Sequence, residues 1–239
     1  MQKFMKETLL KITDYLNHLK KGEVLDSVPK MTYGQFKEYD HDADIALINA
    51  REYYIQKYGF SLITNSWIEL LSEFIGDDKC LEIMGGTGFL SYVLSKKGVN
   101  VICTDDYSWE ELPDSNVNSW VGNHFCDIER LDAVEAVEKY GKEIKYLIVS
   151  WAYMDDTLVK VYKKLKEINP ECLIIYIGER EGGCCSCDEF FEISKNSMDD
   201  MYNYYDDKVF SNELIELTKK LNDEYTSWML VEDVIFFVK

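Results

Sequence analysis

The chain has 239 residues, 46% of them hydrophobic and only 3 of them proline, which fits one globular core and excludes a disordered or collagen-like protein. Its 26 basic and 44 acidic residues give a net charge of −18, and this average field argues against a nucleic-acid partner. No apolar stretch is long enough for a membrane span, lysines interrupt the N-terminal segment where a secretory signal would be apolar, and the seven cysteines are an odd number. We therefore predict a cytoplasmic protein with reduced thiols and no membrane partner.

Three amphipathic helices are predicted at the N-terminus. Apolar residues recur at helical spacing over residues 3–19 and again over residues 45–58, and a third helix begins after the N-cap residues Thr64, Asn65 and Ser66. We assign residues 1–66 to an N-terminal helical extension and residues 67–239 to an α/β core, the two forming one structural unit. The extension is either a lid or an element for packing or dimerisation, and the sequence leaves the oligomeric state open.

Short apolar strands alternate with helices from residue 79 onward. Strands are predicted at 80–84, 99–104, 120–126, 146–151 and 172–177, with helices at 90–97, 131–140 and 157–166 between them. After a helix over 211–224, the apolar runs 228–231 and 234–238 predict an antiparallel hairpin. The fold class is therefore α/β, a doubly wound, mostly parallel, Rossmann-like sheet of seven strands with a C-terminal hairpin.

One glycine-rich segment is the main candidate for chemistry. Residues 82–88 end the first predicted strand and open a helix, which is where a doubly wound sheet binds a nucleotide-like ligand. Glycines there let the backbone approach the ligand, and the helix N-terminus presents free N–H groups to a carboxylate or phosphate. Asp105 ends the next strand, where a carboxylate can accept both hydroxyls of a ribose.

This segment resembles the first motif of class I S-adenosylmethionine-dependent methyltransferases, acid-x-Gly-x-Gly-x-Gly. Glu82, Gly86 and Gly88 match the motif, while Met84 stands at its first glycine with Gly85 beside it. The Gly-x-Gly-x-x-Gly pattern of NAD-binding Rossmann proteins is absent, which favours a methyltransferase-type site over a dinucleotide site.

A narrower resemblance points to largely uncharacterised methyltransferase-like proteins from bacteria and fungi. It is carried by residues 58–64, 150–151, 177–179, 182–184 and 188–191. In that group Ser-Trp is usually followed by Pro-Pro-Tyr, whereas here Ala152, Tyr153 and Met154 follow Ser150 and Trp151. The resemblance therefore implies a fold and a cofactor, and not an acceptor.

The resemblance implies S-adenosylmethionine as the cofactor. Asp127 is placed like the acid that contacts the adenine amino group, with Ile128 beside the ring, although Asp127 also fits a helix N-cap. Ser150 and Trp151 end the fourth strand, where such enzymes line the methyl-transfer site, although Trp151 also fits core packing. The implied cofactor contacts are Glu82, Met84, Gly85, Gly86, Thr87, Gly88, Asp105, Asp106, Asp127, Ile128, Ser150 and Trp151.

The resulting hypothesis is methyl transfer to a small-molecule acceptor. Tyr153 or Glu179 is a candidate base. The candidate pocket residues are Tyr58, Trp151, Tyr153 and Cys184, and the aromatic faces of the first three suit a positive sulfur. Cys184, Cys185 and Cys187 lack the paired spacing of a zinc site, so no metal is expected. The alternatives are a protein methyltransferase that accepts a basic peptide, and a catalytically silent binding module in which Met84 has replaced a glycine.

Overall fold

The computed structural model describes residues 2–31, 41–111, 119–193 and 210–239. Eight α-helices are present in these ranges: α1 (Gln2–Leu19), α2 (His41–Tyr58), α3 (Asn65–Ile75), α4 (Phe89–Lys96), α5 (Ala133–Tyr140), α6 (Thr157–Ile168), α7 (Asp188–Ile193) and α8 (Asn212–Glu224). The strands are β1 (Lys79–Ile83), β2 (Asn100–Asp105), β3 (Glu129–Arg130), β4 (Tyr146–Ser150), β5 (Leu173–Glu179) and β6 (Asp233–Val238). None of the described helices combines the length and the apolar character needed to cross a bilayer.

The strands form one mixed sheet in the order β3-β2-β1-β4-β5-β6. Strands β1 to β5 are parallel, and β6 runs antiparallel to β5 with Glu179 opposite Asp233. The chain moves outward from β1 to β3 and then returns to β4 on the other side of β1. The carboxyl ends of β1 and β4 therefore form a topological switch point, where open α/β sheets bind ligands.

Hydrophobic clusters cover both faces of the sheet. Side chains of α1, α2, α3, α4 and α8 pack on one face, and those of α5, α6 and α7 pack on the other. Neighbouring β1 residues alternate between the clusters, Cys80 in the first and Leu81 in the second, as the pleat requires. Helices α1 and α2 thus pack in the first cluster together with side chains of the sheet. The assignment of residues 1–66 to a separate extension stays a prediction.

Side-chain hydrogen bonds hold the connection after α1 against distant parts of the chain. Asn65 Nδ2 donates to the Val24 carbonyl at 2.6 Å, and Thr226 Oγ1 donates to the Val28 carbonyl at 3.4 Å. Tyr15 Oη similarly donates to the Ile63 carbonyl at 2.5 Å. The N-terminal segment is therefore held between the start of α3 and the C-terminal region.

The third strand differs from its prediction. Residues 120–126 form turns instead of a strand, because Trp120 packs inward and its indole donates to the Ile55 carbonyl at 2.7 Å. The strand is the two-residue β3, in which Glu129 pairs with Thr104 and Arg130 with Asp105.

The predicted seven strands and C-terminal hairpin also differ from the structure, whose described residues form six strands. Residues 228–231 turn instead of extending, with Leu230 at a φ of 74°. Ser227 Oγ donates to the Val231 carbonyl at 2.7 Å and accepts from the Asp233 N–H at 3.1 Å. These local hydrogen bonds take the place of the backbone hydrogen bonds that a second hairpin strand would make. Strand β6 is therefore the edge strand on this side of the sheet.

Candidate active site

A cavity of about 490 Å³ opens at the carboxyl ends of β1, β2 and β4. It lies at the topological switch point, and its volume falls in the usual range for small-molecule sites. Its lining comes from the turn after β1, the ends of β2 and β4, the loop after α2 and the connection between β2 and β3. The lining residues are Tyr58, Gly59, Phe60, Ser61, Ile63, Glu82, Met84, Gly85, Gly86, Thr87, Phe89, Leu90, Asp105, Trp109, Trp120, Ser150, Trp151, Ala152, Tyr153, Met154 and Cys184.

The turn after β1 forms the floor of the cavity. Met84 has a φ of 54° and Gly86 a φ of 57°, so the chain passes twice through the left-handed region that favours glycine. A Cβ on Gly86 would lie 2.8 Å from the ring of Trp120, so a side chain is excluded there. Thr87 Oγ1 donates to the Tyr58 carbonyl at 2.7 Å, which ties this turn to the loop after α2.

Asp105 organises the turn from the end of β2. Its Oδ2 accepts the Gly86 N–H at 2.7 Å, and its Oδ1 accepts the Tyr107 N–H at 2.7 Å and the Trp109 indole at 3.0 Å. Burial raises the pKa of Asp105, and these three donors oppose the rise. A carboxylate offers about four acceptor positions, so about one remains for a ligand hydroxyl.

Glu82 lies under the turn and is also buried. Its Oε2 accepts the Ser91 N–H at 3.1 Å and the Ser91 hydroxyl, and the Cys103 thiol lies 3.7 Å away. Burial raises the pKa of Glu82 to about 7, and the bonds from Ser91 limit the rise. Glu82 therefore connects β1 to the first turns of α4.

Four aromatic side chains form one continuous side of the cavity, which we call the aromatic wall: Trp109, Trp120, Phe60 and Trp151. The Trp109 and Trp120 rings meet edge to face at 5.5 Å between centroids, and Trp120 meets Phe60 in the same way at 5.6 Å. Phe60 and Trp151 stack at 5.0 Å with 15° between their planes. The wall thus runs from the end of β2 to the end of β4.

Each indole of the aromatic wall donates its N–H to another part of the protein. In chain order, the acceptors are Asp105 Oδ1 at 3.0 Å, the Ile55 carbonyl at 2.7 Å and Asp233 Oδ2 at 3.1 Å. These bonds fix the orientation of the rings, and they leave the wall with no indole donor for a ligand.

Asp233 lies behind Trp151 at the start of β6 and is buried. Its Oδ2 accepts both the Trp151 indole at 3.1 Å and the Tyr225 hydroxyl at 3.2 Å, while its Oδ1 has no hydrogen-bond partner among the described residues. Burial raises the pKa of Asp233 to about 7, although its two donors and the charge of Arg51 act against the rise. Asp233 fixes Trp151 and titrates near neutral pH.

The opposite end of the cavity opens to solvent. Tyr153 and Met154 are 42% and 66% exposed, and Ser150 Oγ lies 2.7 Å from Ser61 Oγ below them. Burial of its hydroxyl raises the pKa of Tyr153, which makes it harder to ionise. This mouth is where an acceptor could enter.

The cavity brings together most of the residues that the sequence singled out. These are Tyr58, Glu82, Met84, Gly85, Gly86, Thr87, Asp105, Ser150, Trp151, Tyr153 and Cys184. Whether they bind a cofactor or an acceptor stays a prediction.

Five predicted residues do not line the cavity: Gly88, Asp106, Asp127, Ile128 and Glu179. Asp106 and Asp127 are exposed, and Asp106 Oδ1 accepts the Ser108 N–H at 2.8 Å. Ile128 packs against the cluster around Trp109, beside Gly88 at the start of α4. Glu179 turns away, and its Oε2 accepts the Cys184 N–H at 2.8 Å.

Sequence reasoning missed Phe60, Ser61, Trp109 and Trp120 in the lining, and Asp233 behind it. Trp109 lies in a short 3-10 helix over residues 108–111, and Trp120 lies in the segment for which the sequence predicted a strand, so neither was recognised as a lining residue. Within the described ranges, no three histidine, cysteine or acidic side chains are gathered as a metal site would require.

No protein-family model matches the sequence, and no curated protein resembles it at a significant level. Among solved structures, it is similar to an S-adenosylmethionine-dependent methyltransferase from Archaeoglobus fulgidus, with 13% identity over 72% of this chain and 94% of that one, at a TM-score of 0.40. It is also similar to a mitomycin 7-O-methyltransferase, with 13% identity over 96% of this chain and 68% of that one, at a TM-score of 0.40. A third similar structure is a ribosomal protein L11 methylase from Lactobacillus delbrueckii subsp. bulgaricus, with 13% identity and a TM-score of 0.33. That match covers 50% of this chain and 63% of the length of the methylase. We therefore argue the function from this chain's own cavity.

Proposed function

We propose that the chain is an S-adenosylmethionine-dependent methyltransferase that acts on a small molecule. The observation that carries the proposal is the cavity at the switch point, which combines a glycine-rich turn after β1 with a carboxylate at the end of β2. Kinship with the narrower bacterial and fungal group remains a prediction, as does a cytoplasmic location.

The lining residues fit this cofactor in size and chemistry. A cavity of about 490 Å³ has room for a nucleoside with an amino-acid tail, and the turn of Gly85, Gly86 and Thr87 lets the backbone approach it. Asp105 keeps about one acceptor position for a ribose hydroxyl. When bound, the cofactor supplies an electrophilic methyl group on a positive sulfur, which the aromatic wall and the nearby carboxylates suit.

The chain's own residues would act mainly by position. Methyl transfer is an in-line displacement, so its rate depends on holding the acceptor and the methyl group on one axis. The aromatic wall excludes water and orients a flat acceptor, with Trp151 held in place by Asp233. Tyr153 lies at the mouth, and we assign it to positioning. Asp127, Ile128, Asp106 and Gly88 keep their predicted cofactor contacts only if the cofactor extends beyond this cavity. Glu179 keeps its predicted role as a base only if the acceptor extends beyond it.

Calorimetric titration with S-adenosylmethionine, S-adenosylhomocysteine and NAD tests the proposal. We expect the first two to bind and NAD not to. Asp105→Ala should weaken binding roughly 10- to 100-fold, because a hydrogen bond to a charged group contributes about 1.5–3 kcal/mol. Asp77→Ala is the control, since that carboxylate follows α3, is exposed and lies outside the lining.

Circular dichroism must first show that the Asp105 variant is folded, and Asp105→Asn replaces it otherwise because the amide keeps one acceptor. Equal affinities for the Asp105 and Asp77 variants would contradict the assigned orientation of the cofactor.

Two features favour a catalytically silent binding module as the second candidate. The Trp109 indole already occupies one of the acceptor positions on Asp105, and Met84 replaces a glycine beside it. If these features prevent cofactor binding, wild-type protein will bind neither sulfur compound while Trp109→Phe gains affinity. That result would support the silent module over the enzyme.

A further inference from the structure

The charge of the cavity lining restricts the acceptor. No lysine, arginine or histidine is present among the described residues of the lining, whereas Glu82 and Asp105 are. An acceptor that attacks as an anionic oxygen, such as a phenolate or carboxylate, needs a cation or strong donors around that oxygen. The described lining supplies no such cation.

The indole and threonine donors of the described lining are also engaged within the protein. All three indole N–H groups of the aromatic wall have protein acceptors, and the Thr87 hydroxyl donates to the Tyr58 carbonyl. Ser61 and Ser150 share a hydrogen bond at 2.7 Å, which uses one of their two hydroxyl protons. An anionic oxygen would therefore exchange its water for neutral hydroxyl or thiol donors, and the described lining offers it no cation.

Among the described residues of the lining, no carboxylate is free to act as a base for a protonated amine, since the position left on Asp105 is assigned to the ribose. Glu82 accepts two bonds from Ser91, and Asp105 accepts three N–H groups. Burial raises the pKa of Tyr153, so at neutral pH its phenol keeps its proton. The acceptor should therefore arrive with a free lone pair and have no proton to lose.

We propose that the acceptor is a planar nitrogen heterocycle, neutral at pH 7, which is methylated on a ring nitrogen to give a cation. This inference rests on the proposed function and names its substrate class. A flat ring can stack on the aromatic wall, and the cationic product suits π faces and buried carboxylates.

The step balances without a base. The ring-nitrogen lone pair forms the new N–C bond while the S–C bond of the sulfonium breaks, and the S–C electron pair stays on sulfur as a neutral thioether. The positive charge moves from sulfur to nitrogen, and no proton is released. The cavity therefore holds one positive charge before and after transfer, which matches a lining of aromatic rings and carboxylates.

Isoquinoline and 2-naphthol form a matched pair of probes, because they share a shape and differ in the nucleophile. With S-adenosylmethionine labelled on the methyl group, we expect the protein to methylate isoquinoline at least 10-fold faster than 2-naphthol. Faster methylation of 2-naphthol, or of a primary alkylamine, would overturn the inference and leave the proposed function standing. Cofactor binding with no transfer to isoquinoline also counts against it.

Binding of the product-like cation gives a second readout. In the presence of S-adenosylhomocysteine, N-methylisoquinolinium should bind roughly 3- to 30-fold more tightly than isoquinoline. Trp151→Leu should reduce that preference, and Phe60→Leu serves if the first variant does not fold. Tyr140→Leu is the control, since Tyr140 ends α5 outside the lining.

The results separate the two levels of the proposal. Equal binding of cation and neutral ring contradicts the heterocycle inference alone. Absence of any cofactor binding contradicts the proposed function, and the inference fails with it.

Discussion

Two indole–carboxylate pairs hold the two ends of the aromatic wall, and they differ in how completely the carboxylate is hydrogen-bonded. Asp105 accepts three N–H groups with both oxygens. Asp233 accepts two donors with one oxygen, while its other oxygen has no partner among the described residues. The Asp105 pair organises a backbone turn, whereas the Asp233 pair orients a single ring.

Because their hydrogen-bond partners differ, the buried carboxylates Asp105 and Asp233 have different roles. Burial raises the pKa of both carboxyls, and it raises that of Asp233 to about 7; three donors oppose the rise at Asp105 and two oppose it at Asp233. Asp105 therefore acts as a fixed part of the turn after β1, and Asp233 as a group that titrates near neutral pH behind Trp151.

The largest expected effect is on folding, from removal of the Asp105 carboxylate. Asp105→Ala leaves three N–H donors without their acceptor, so we expect the free energy of unfolding to fall by roughly 5 kcal/mol, measured by urea denaturation. Asp106→Ala should change it by less than about 0.5 kcal/mol, because that side chain is exposed. Similar losses in both variants would show that Asp105 does not organise the turn.

The second effect is a pH dependence of stability from Asp233. The folded protein holds a proton on Asp233 up to about pH 7, whereas the unfolded chain releases it near the ordinary pKa of 3.8. Between these values the folded state binds more protons, so the contribution of Asp233 to stability is greatest below about pH 4 and falls as pH rises toward 7. The contribution of this one group is up to about 4 kcal/mol.

Asp233→Asn isolates this contribution, because its amide oxygen can still accept from Trp151 while the group no longer ionises. We expect the stability of the variant to fall less steeply than that of wild type from pH 4 to 7. Glu82, whose pKa is also raised to about 7, contributes a falling slope in both proteins. Parallel curves would mean that Asp233 is not protonated in the folded protein at mildly acidic pH.

The smallest effect is expected at Met84, and it is measured against Trp151, a second left-handed residue that follows a neighbouring strand. Met84 follows β1 with a φ of 54°, and Trp151 follows β4 with a φ of 56°. Met84→Gly should change the free energy of unfolding by no more than about 1 kcal/mol, since relief of backbone strain offsets lost packing and added chain entropy. Thermal denaturation measures the difference.

Trp151→Gly should cost about 3–5 kcal/mol, because the indole also loses its bond to Asp233 and its stacking on Phe60. An equal cost at both positions would mean that the bond to Asp233 and the stacking on Phe60 add nothing measurable to stability.

Much of the fold follows from periodicity in the sequence. The four central strands and the helices α1 to α6 lie within a few residues of their predicted positions, because buried parallel strands are short apolar runs. Residues 120–126 misled the prediction, since their aromatic residues pack inward from turns. Residues 228–231 did so too, because apolar side chains can be buried by a local turn as well as by a strand.

The candidate site could be predicted in part. The turn at Met84 to Gly88 and the carboxylate of Asp105 are local signals at strand ends, and the structure places Met84, Gly86 and Asp105 in one cavity. The aromatic wall depends on contacts between distant segments, such as Phe60 with Trp151, which no single stretch of sequence encodes. Asp233 falls between the two strands of the predicted hairpin, whereas in the structure it begins β6 opposite Glu179 and is buried.

The hydrogen bond between Thr226 and Val28 spans 198 residues and has a consequence for the order of folding. A contact between such distant parts of a chain closes a large loop, whose entropy must be lost before the contact contributes. During synthesis, Val28 cannot accept this bond until residue 226 has left the ribosome. We therefore expect this contact to form late in folding, after α1 and α2 have packed together through contacts of shorter range.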